Sequence, residues 1–364
     1  MKLMEFVSEF PNEETCMNRF RALKEKQGIT CPNCGHTDFR WLSYRRAHEC
    51  IHCGRRVTLK AGTMLAHSIL PFYAWFLTPH LMTSTKIPLS VVEIQRQIGA
   101  KSYQPVWEIC HKINSLMGLM DNKHKMRGRL EVDEAFFTTG KPKELDVKKM
   151  KRGAGSQRKS KVLMLVQSED SHCTPKNGQK SRVPGYVRMI QVSDTKKSTL
   201  DRQIVRNVKK DSTIVSDAAT SHANFFKYCK EHISQVLKPE EMENVLTWVH
   251  TYISNAKGYI SAIHKGVAEK YLQYNLDYFS FKWNRLYEKN DPFFSLLEYA
   301  VNNRSNFMSV RYLFARNYGL FTSFKSFWLV CINDFVFFIN RVNCLFEEER
   351  PVRVSPLFFR RRNA

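Results

Sequence analysis

No segment of this 364-residue chain offers the roughly 20 uncharged apolar residues that a membrane span needs. The longest apolar stretch, Phe327 to Ile339, is 13 residues long and carries Asp334. The opening MKLMEFVSEFPNEETC has acids among its apolar residues and does not read as a secretory leader. Acidic residues are scarce: Asp+Glu number 34 against 57 Lys+Arg, a formal charge of +23. A chain this basic points to a polyanionic partner, nucleic acid first and an anionic membrane second. A basic solvated surface is the plain alternative. A disulfide framework is missing as well. Cys16, Cys110, Cys173, Cys229, Cys331 and Cys344 are scattered, which suits reduced core thiols.

The other four cysteines form a quartet. In Cys31-Pro-Asn-Cys34-Gly-His and Cys50-Ile-His-Cys53-Gly-Arg, fifteen residues separate Cys34 from Cys50. Two residues between cysteines let both sulfurs of one tight turn meet one ion, and Gly35 and Gly54 follow where such a knuckle needs positive φ. Two knuckles joined by a hairpin complete a tetrahedral sulfur site suited to Zn²⁺. His36 and His52 are rival ligands, or surface neighbours of the knuckles. The ribbon either contacts DNA through Arg40, Arg45, Arg46, Arg55, Arg56 and Lys60, or only staples the N-terminal region.

Residues 68–118 read as helical. Val91, Ile94 and Ile98 line one face of Leu89–Ile98, and Val106, Ile109, Ile113 and Met117 line one face of Gln104–Met117. The Gly99–Tyr103 turn between them makes a helix-turn-helix or an ordinary helical hairpin. Trp107 reads as core.

From residue 129 the pattern becomes strands alternating with helices. Strands are expected at 129–137, 162–167, 186–193, 213–216 and near 245–249, with helices at Ser198–Val208 and after Asp217. This is the order of an RNase H-like α/β core, a mixed sheet with flanking helices. Asp133 inside the first strand and Asp217 ending the fourth then meet on adjacent strands, although 84 residues separate them.

Such a pair suits in-line displacement at phosphorus. Two hard divalent ions about 4 Å apart activate the attacking oxygen and stabilise the leaving one, and Mg²⁺ or Mn²⁺ prefers carboxylate oxygens. Asp133 reads as the bridging ligand and Asp217 as the second. Asn255 is offered as the third, through its amide oxygen. The alternatives are a structural carboxylate at Asp133 and helix caps at Asp217 and Asn255. Glu134 alternates to the face opposite Asp133. Lys257, His264 and Lys265 read as phosphate contacts or as a solvated basic face. Segment 141–161 holds nine Lys/Arg and two acids. Through Lys148, Lys149, Lys151, Arg152, Arg158 and Lys159 it reads as a basic loop for the DNA backbone, or as a solvated excursion.

Together these residues resemble bacterial insertion-sequence transposases with an N-terminal zinc ribbon, the ISXO-like group of the DDE superfamily. The resemblance runs from about Phe10 to Glu298. It rests on the Phe10-Pro…Cys16 opening, the ribbon, Ala61-Gly-Thr63, Trp75-Phe76, Glu131-Val-Asp133-Glu134, Lys151-Arg-Gly153…Lys159 and Ser216-Asp217. It continues through Ile253-Ser-Asn255-Ala-Lys257, His264-Lys-Gly266, Tyr271-Leu-Gln273 and Phe281-Lys-Trp-Asn-Arg285. Departures are Ala262 for a glycine, Leu276-Asp-Tyr-Phe279 without the group's Glu, and Lys282-Trp-Asn-Arg-Leu286. The resemblance implies metal-dependent cleavage at inverted repeats, joining to target DNA, and Asn255 with Lys257 at the third catalytic position. It also implies double-stranded DNA as partner, a homo-oligomer on that DNA, no membrane, and a cytoplasmic, nucleoid-associated protein.

The expected organisation is an N-terminal segment and ribbon at 1–66, a helical, DNA-binding segment at 67–127, the catalytic domain at 128–298, and an unassigned basic tail at 299–364 that holds 11 of the 25 Phe. Two other function classes remain: a catalytically decayed DNA-binding protein derived from such an enzyme, and an RNase H-like nuclease. A pure binder needs neither Asp133 nor Asp217. The ribbon, helix pair and basic loop argue against a bare RNA-strand nuclease.

Overall fold

Short helices begin the chain where a cap allows it. Asn12 accepts the Thr15 N–H at 2.9 Å and starts α2 (Glu13–Gln27) after α1 (Leu3–Glu9). The computed structural model describes residues 1–85, 88–140, 156, 158–170, 182–235, 245–264, 266–286 and 291–303. Lys148, Lys149, Lys151, Arg152 and Lys265 lie outside the described residues, as does the tail from 304 onward.

The ribbon is a three-stranded antiparallel sheet of β1 (Phe39–Leu42), β2 (Ala47–Cys50) and β3 (Arg56–Thr58). Three helices follow: α3 (Phe72–Ser84), α4 (Val91–Gln97) and α5 (Tyr103–Asp121). Glu13 caps α3 from a distance, accepting the N–H groups of Phe72 and Tyr73 at 2.8 and 2.7 Å. The apolar stripes of these helices close over one core, in which Phe6, Phe10, Phe76 and Phe293 meet edge to face or tilted. Phe293 comes from α9 (Pro292–Asn302).

Helix α5 is enclosed on every side. Each residue from Ile109 to Gly118 is buried, and Trp107 packs against His111 and Tyr271 as a core residue should. A recognition helix needs one free face for a groove. Accessible surface on α5 remains at its first turn and at Glu108, Leu119 and Met120, so the stretch Ile109–Gly118 presents no free face to a groove.

The second sheet has the order β6-β5-β4-β7-β8. Strands β4 (Arg129–Thr138), β5 (Lys159–Asp170) and β6 (Arg182–Val192) form an antiparallel meander. After α6 (Lys197–Asn207), β7 (Thr213–Asp217) pairs parallel to β4, and β8 (Glu231–Gln235) parallel to β7. This is the expected RNase H-like mixed sheet. Leu130, Val132 and Ile214 pack against Leu200 and Ile204 of α6 on one face. Ala135, Phe137 and Val215 pack on the other against α7 (Thr247–His264) and α8 (Glu269–Asn284).

Two expectations fail. The fifth strand is Glu231–Gln235; Thr247–Val249, expected as strand, opens α7. Its apolar residues Val249, Tyr252, Ile253, Ala256 and Ile260 continue at helical spacing down one buried face. Between Asp217 and β8, where a helix is expected, there is no α-helix. Two short 3₁₀ turns, Thr220–His222 and Phe225–Lys227, stand there instead.

Candidate active site

Strand register brings the two aspartates together. The parallel ladder pairs Glu131 with Val215 and Val132 with Ser216, so Asp133 and Asp217 stand one step further, side by side on the two central strands. Paired residues point to the same side of a sheet, here the side covered by α7. Asp133 Oδ1 accepts the Glu134 N–H at 2.7 Å, and Asp217 Oδ1 accepts the Ala219 N–H at 3.3 Å.

Their electrostatics differ. Burial pushes the Asp133 carboxyl up to about 6, with Asp217 and Glu134 adding repulsion against the opposing pull of His250 and the Glu134 N–H. Asp217 is held below the usual carboxylate range, chiefly by His222, in spite of its burial. His222 Nδ1 lies 2.8 Å from Asp217 Oδ1 and Nε2 lies 3.1 Å from Glu134 Oε2, with the ring fully buried. Both contacts are short but depart from ideal hydrogen-bond geometry. Burial pulls the His222 pKa down, but the two carboxylates outweigh it and raise it to about 9. Glu134 does occupy the opposite face, where Ser221 Oγ donates to it at 3.2 Å.

His250 in the first turns of α7 stands over Asp133, Nδ1 to Oδ2 3.7 Å. Its Nε2 is buried and has no hydrogen-bond partner among the described residues. Asn255 lies well inside α7 and not at its start, so it is not a helix cap. It is exposed and hydrogen-bonds to neither aspartate, and Lys257 is exposed too. At 100° per residue Lys257 lies within about 20° of His250 around the helix, and Asn255 about 140° away. Among the described residues no three His, Cys, Asp or Glu ligand atoms close into a cage around Asp133 and Asp217. A divalent cation nonetheless fits the donor chemistry. Two adjacent carboxylates, one of them desolvated enough to resist ionisation, are relieved by positive charge.

The sulfurs of Cys31, Cys34, Cys50 and Cys53 all lie within 4.8 Å of one another. Cys31 to Cys53 is 3.5 Å and Cys34 to Cys50 is 3.6 Å, close to the edge of about 3.8 Å in a tetrahedron with zinc–sulfur bonds of about 2.3 Å. Gly35 and Gly54, at φ +76° and +68°, turn each knuckle. The rings of His36 and His52 stack 3.9 Å apart at 9°. With Cys34 they form a second group of ligand atoms within 4.8 Å of one another, but both histidines are exposed and the group supplies only three donors, so the four sulfurs are the better set for zinc.

The basic candidates divide. Arg45, Arg46 and Arg55 are exposed. Arg40 and Arg56 both bind Glu49, at 2.5 and 2.9 Å. Lys60 is committed to the carbonyls of Ser68 and Leu70. Lys159 is exposed at the start of β5, and Arg158 beside it is half-buried. His264 ends α7 with its pKa lowered to about 4 by burial, against a bond to Asn275. It is neutral at physiological pH and offers DNA no charge.

Residues 125–284 match the profile of the ISXO2-like transposase domain. This part of the chain is similar to an ISXO2-like transposase domain. An uncharacterized protein in the transposable element ISH50 of Halobacterium salinarum is 25% identical over 155 residues, 42% of this chain and 51% of that protein. The chain thus spans about half the length of that relative. The transposase match covers β4 to α8, including Asp133, Asp217 and Asn255, while the ribbon lies outside it. No helix among the described residues is long and apolar enough to cross a membrane.

His222 was missed because it sits in the segment expected as a helix after Asp217, which forms a 3₁₀ turn instead. His250 stood in plain view at the opening of the α7 segment, but only the sheet register reveals which face of α7 meets Asp133.

Proposed function

We propose that this chain is a DNA transposase that cuts the ends of an insertion sequence and joins them to target DNA at the Asp133–Asp217 pair. One observation carries the reading: two carboxylates from distant strands stand together on the central strands of a transposase domain. Divalent ions, Mg²⁺ or Mn²⁺, would activate the attacking oxygen and stabilise the leaving one. Asp133 and Asp217 would hold the ions, Asp133 being the donor expected to serve both. Asn255 supplies the third donor, with His250 the rival beside Asp133. Asp217 is steadied by His222, which neutralises it on the side away from the ions and leaves its second oxygen for coordination. Lys257 lies on the His250 side of α7, suited to a phosphate near the scissile bond. The segment with Lys148, Lys149, Lys151, Arg152, Arg158 and Lys159 binds the DNA backbone, as do His264, as a neutral donor or acceptor, and Lys265. Zinc at the four cysteines folds the ribbon, whose exposed Arg45, Arg46 and Arg55 favour DNA contact. The active unit on DNA is a homo-oligomer that aligns two ends.

The test is incubation of the purified protein with labelled DNA carrying the ends of its own element. Cleavage at the end with Mg²⁺ or Mn²⁺, and none with EDTA, supports the reading. Binding without cleavage under both ions identifies a decayed DNA-binding protein.

A further inference from the structure

We infer that Glu131 is a positioning residue that sets the register of α7 against Asp133. Glu131 is 1% exposed and precedes Asp133 by two residues on β4, so both side chains leave the same face. Its Oε2 accepts the N–H of Trp248 at 2.8 Å and of Val249 at 2.9 Å. These are first-turn donors of α7, which have no partner within their own helix. A carboxylate at that end also meets the positive end of the helix dipole. No nearer residue does this work: the bonds cross 117 and 118 positions of sequence.

The contact does more than cap a helix. Two N–H groups on one oxygen fix both the height of the helix start above the sheet and its rotation about its own axis. Trp248 Nε1 adds a second tie, to the Arg182 carbonyl on β6 at 3.1 Å. His250 follows Trp248 by two residues and comes to 3.7 Å from Asp133 Oδ2. Asn255 and Lys257 lie on the same rigid helix. One strand thus carries both the carboxylate of the site and, two residues away, the anchor of the helix that completes it. The same device recurs where Glu13 caps α3, but there no candidate site residue lies in the capped turn.

The role in catalysis rests on the function proposed above, whereas the anchoring does not. The experiment therefore has two arms on the full chain, with Glu131→Ala, Glu131→Gln and Glu131→Asp. Gln keeps an oxygen that accepts both N–H groups, Ala keeps none, and Asp is one methylene too short. In the first arm, amide hydrogen exchange should rise in the first turn of α7 in the Ala and Asp variants, remain near wild type in Gln, and stay unchanged in β4–β6. In the second, end cleavage with Mg²⁺ is compared with end binding. A displacement of about 1 Å at a reacting centre costs about 100-fold. The Ala variant should lose at least that factor in cleavage rate with end affinity within about threefold, and Gln should recover most of it. Unchanged exchange at Trp248 and Val249 in the Ala variant overturns the anchor. Faster exchange with wild-type cleavage, or equal cleavage loss in Ala and Gln, overturns the positioning role. If wild type itself does not cleave, the functional reading fails while the exchange arm still decides the anchor. If the Ala variant does not fold, the Gln and Asp pair decides both arms by the same criteria.

Discussion

His250 stands over Asp133 with Nδ1 3.7 Å from Oδ2, while Asn255, five residues along the same helix, leaves the axis about 140° away. The two are therefore distinct candidates for the third donor, and the exposure of Asn255 makes them separable. An exposed Asn in mid-helix is a weak helix former, so Asn255→Ala should leave the melting temperature unchanged or raise it by the equivalent of a few tenths of a kcal/mol. Cleavage should nonetheless fall by at least about 100-fold if the amide oxygen holds an ion. An Asn255→Ala protein with full activity would take Asn255 out of the site and leave His250 as the donor.

The cysteine quartet predicts one zinc per chain after mild purification. The ribbon strands are short and their buried apolar residues are Ala47 and Cys50, so metal supplies much of their stability. Chelation should expose Cys31, Cys34, Cys50 and Cys53 to alkylation together, while the β4–β8 sheet keeps its exchange protection. Ready alkylation of Cys31 and Cys53 in native protein containing no zinc would contradict the ribbon.

Asp277 on α8 predicts a pH dependence of stability. Burial, with Asp121 adding repulsion, raises its carboxyl to about 7 in spite of Gln273 and Arg188. Gln273 donates to it at 2.7 Å. The folded protein thus keeps this proton over a range in which the unfolded chain has released it. The associated stability is full below about pH 4 and is lost as pH rises through about 7, by at most about 4 kcal/mol. Asn keeps an oxygen for Gln273 and has no proton to lose. Denaturant unfolding should show Asp277→Asn gaining on wild type between pH 5 and 8, with the difference levelling above about 7. Parallel curves would show that Asp277 ionises normally.

Much of the sheet was legible because strand alternation is a local signal. The burial of Leu130, Val132, Leu163, Leu165 and Ile214 on one face follows from it directly. What failed depended on tertiary partners. The segment Val245-Leu-Thr-Trp-Val249 is rich in β-branched and aromatic residues, yet becomes helix where Glu131, over a hundred residues earlier, satisfies its first N–H groups. Glu231-His-Ile-Ser-Gln235 reads as too polar for a strand because it is the edge of the sheet and only half-buried. Helix α5 has an amphipathic stripe in sequence, but its polar residues His111, Lys112, Asn114 and Ser115 are buried as well, since α8 and α9 pack against it. At the site, Asp133 and Asp217 followed from strand positions alone. His222 did not, because its role depends on a 3₁₀ turn folding back between Glu134 and Asp217.

The central claim is that Asp133 and Asp217 act together as one ion-holding pair for phosphoryl transfer. Its most direct test is the rate of end cleavage, with Mg²⁺, for wild type, Asp133→Asn and Asp217→Asn at equal occupancy of labelled end DNA. Removing either carboxylate should cost at least about 1000-fold, roughly 4 kcal/mol of transition-state stabilisation. End affinity should stay near wild type, and the double variant should be little worse than either single one, because residues acting as a unit are not additive. Near wild-type cleavage by either single variant would contradict the account.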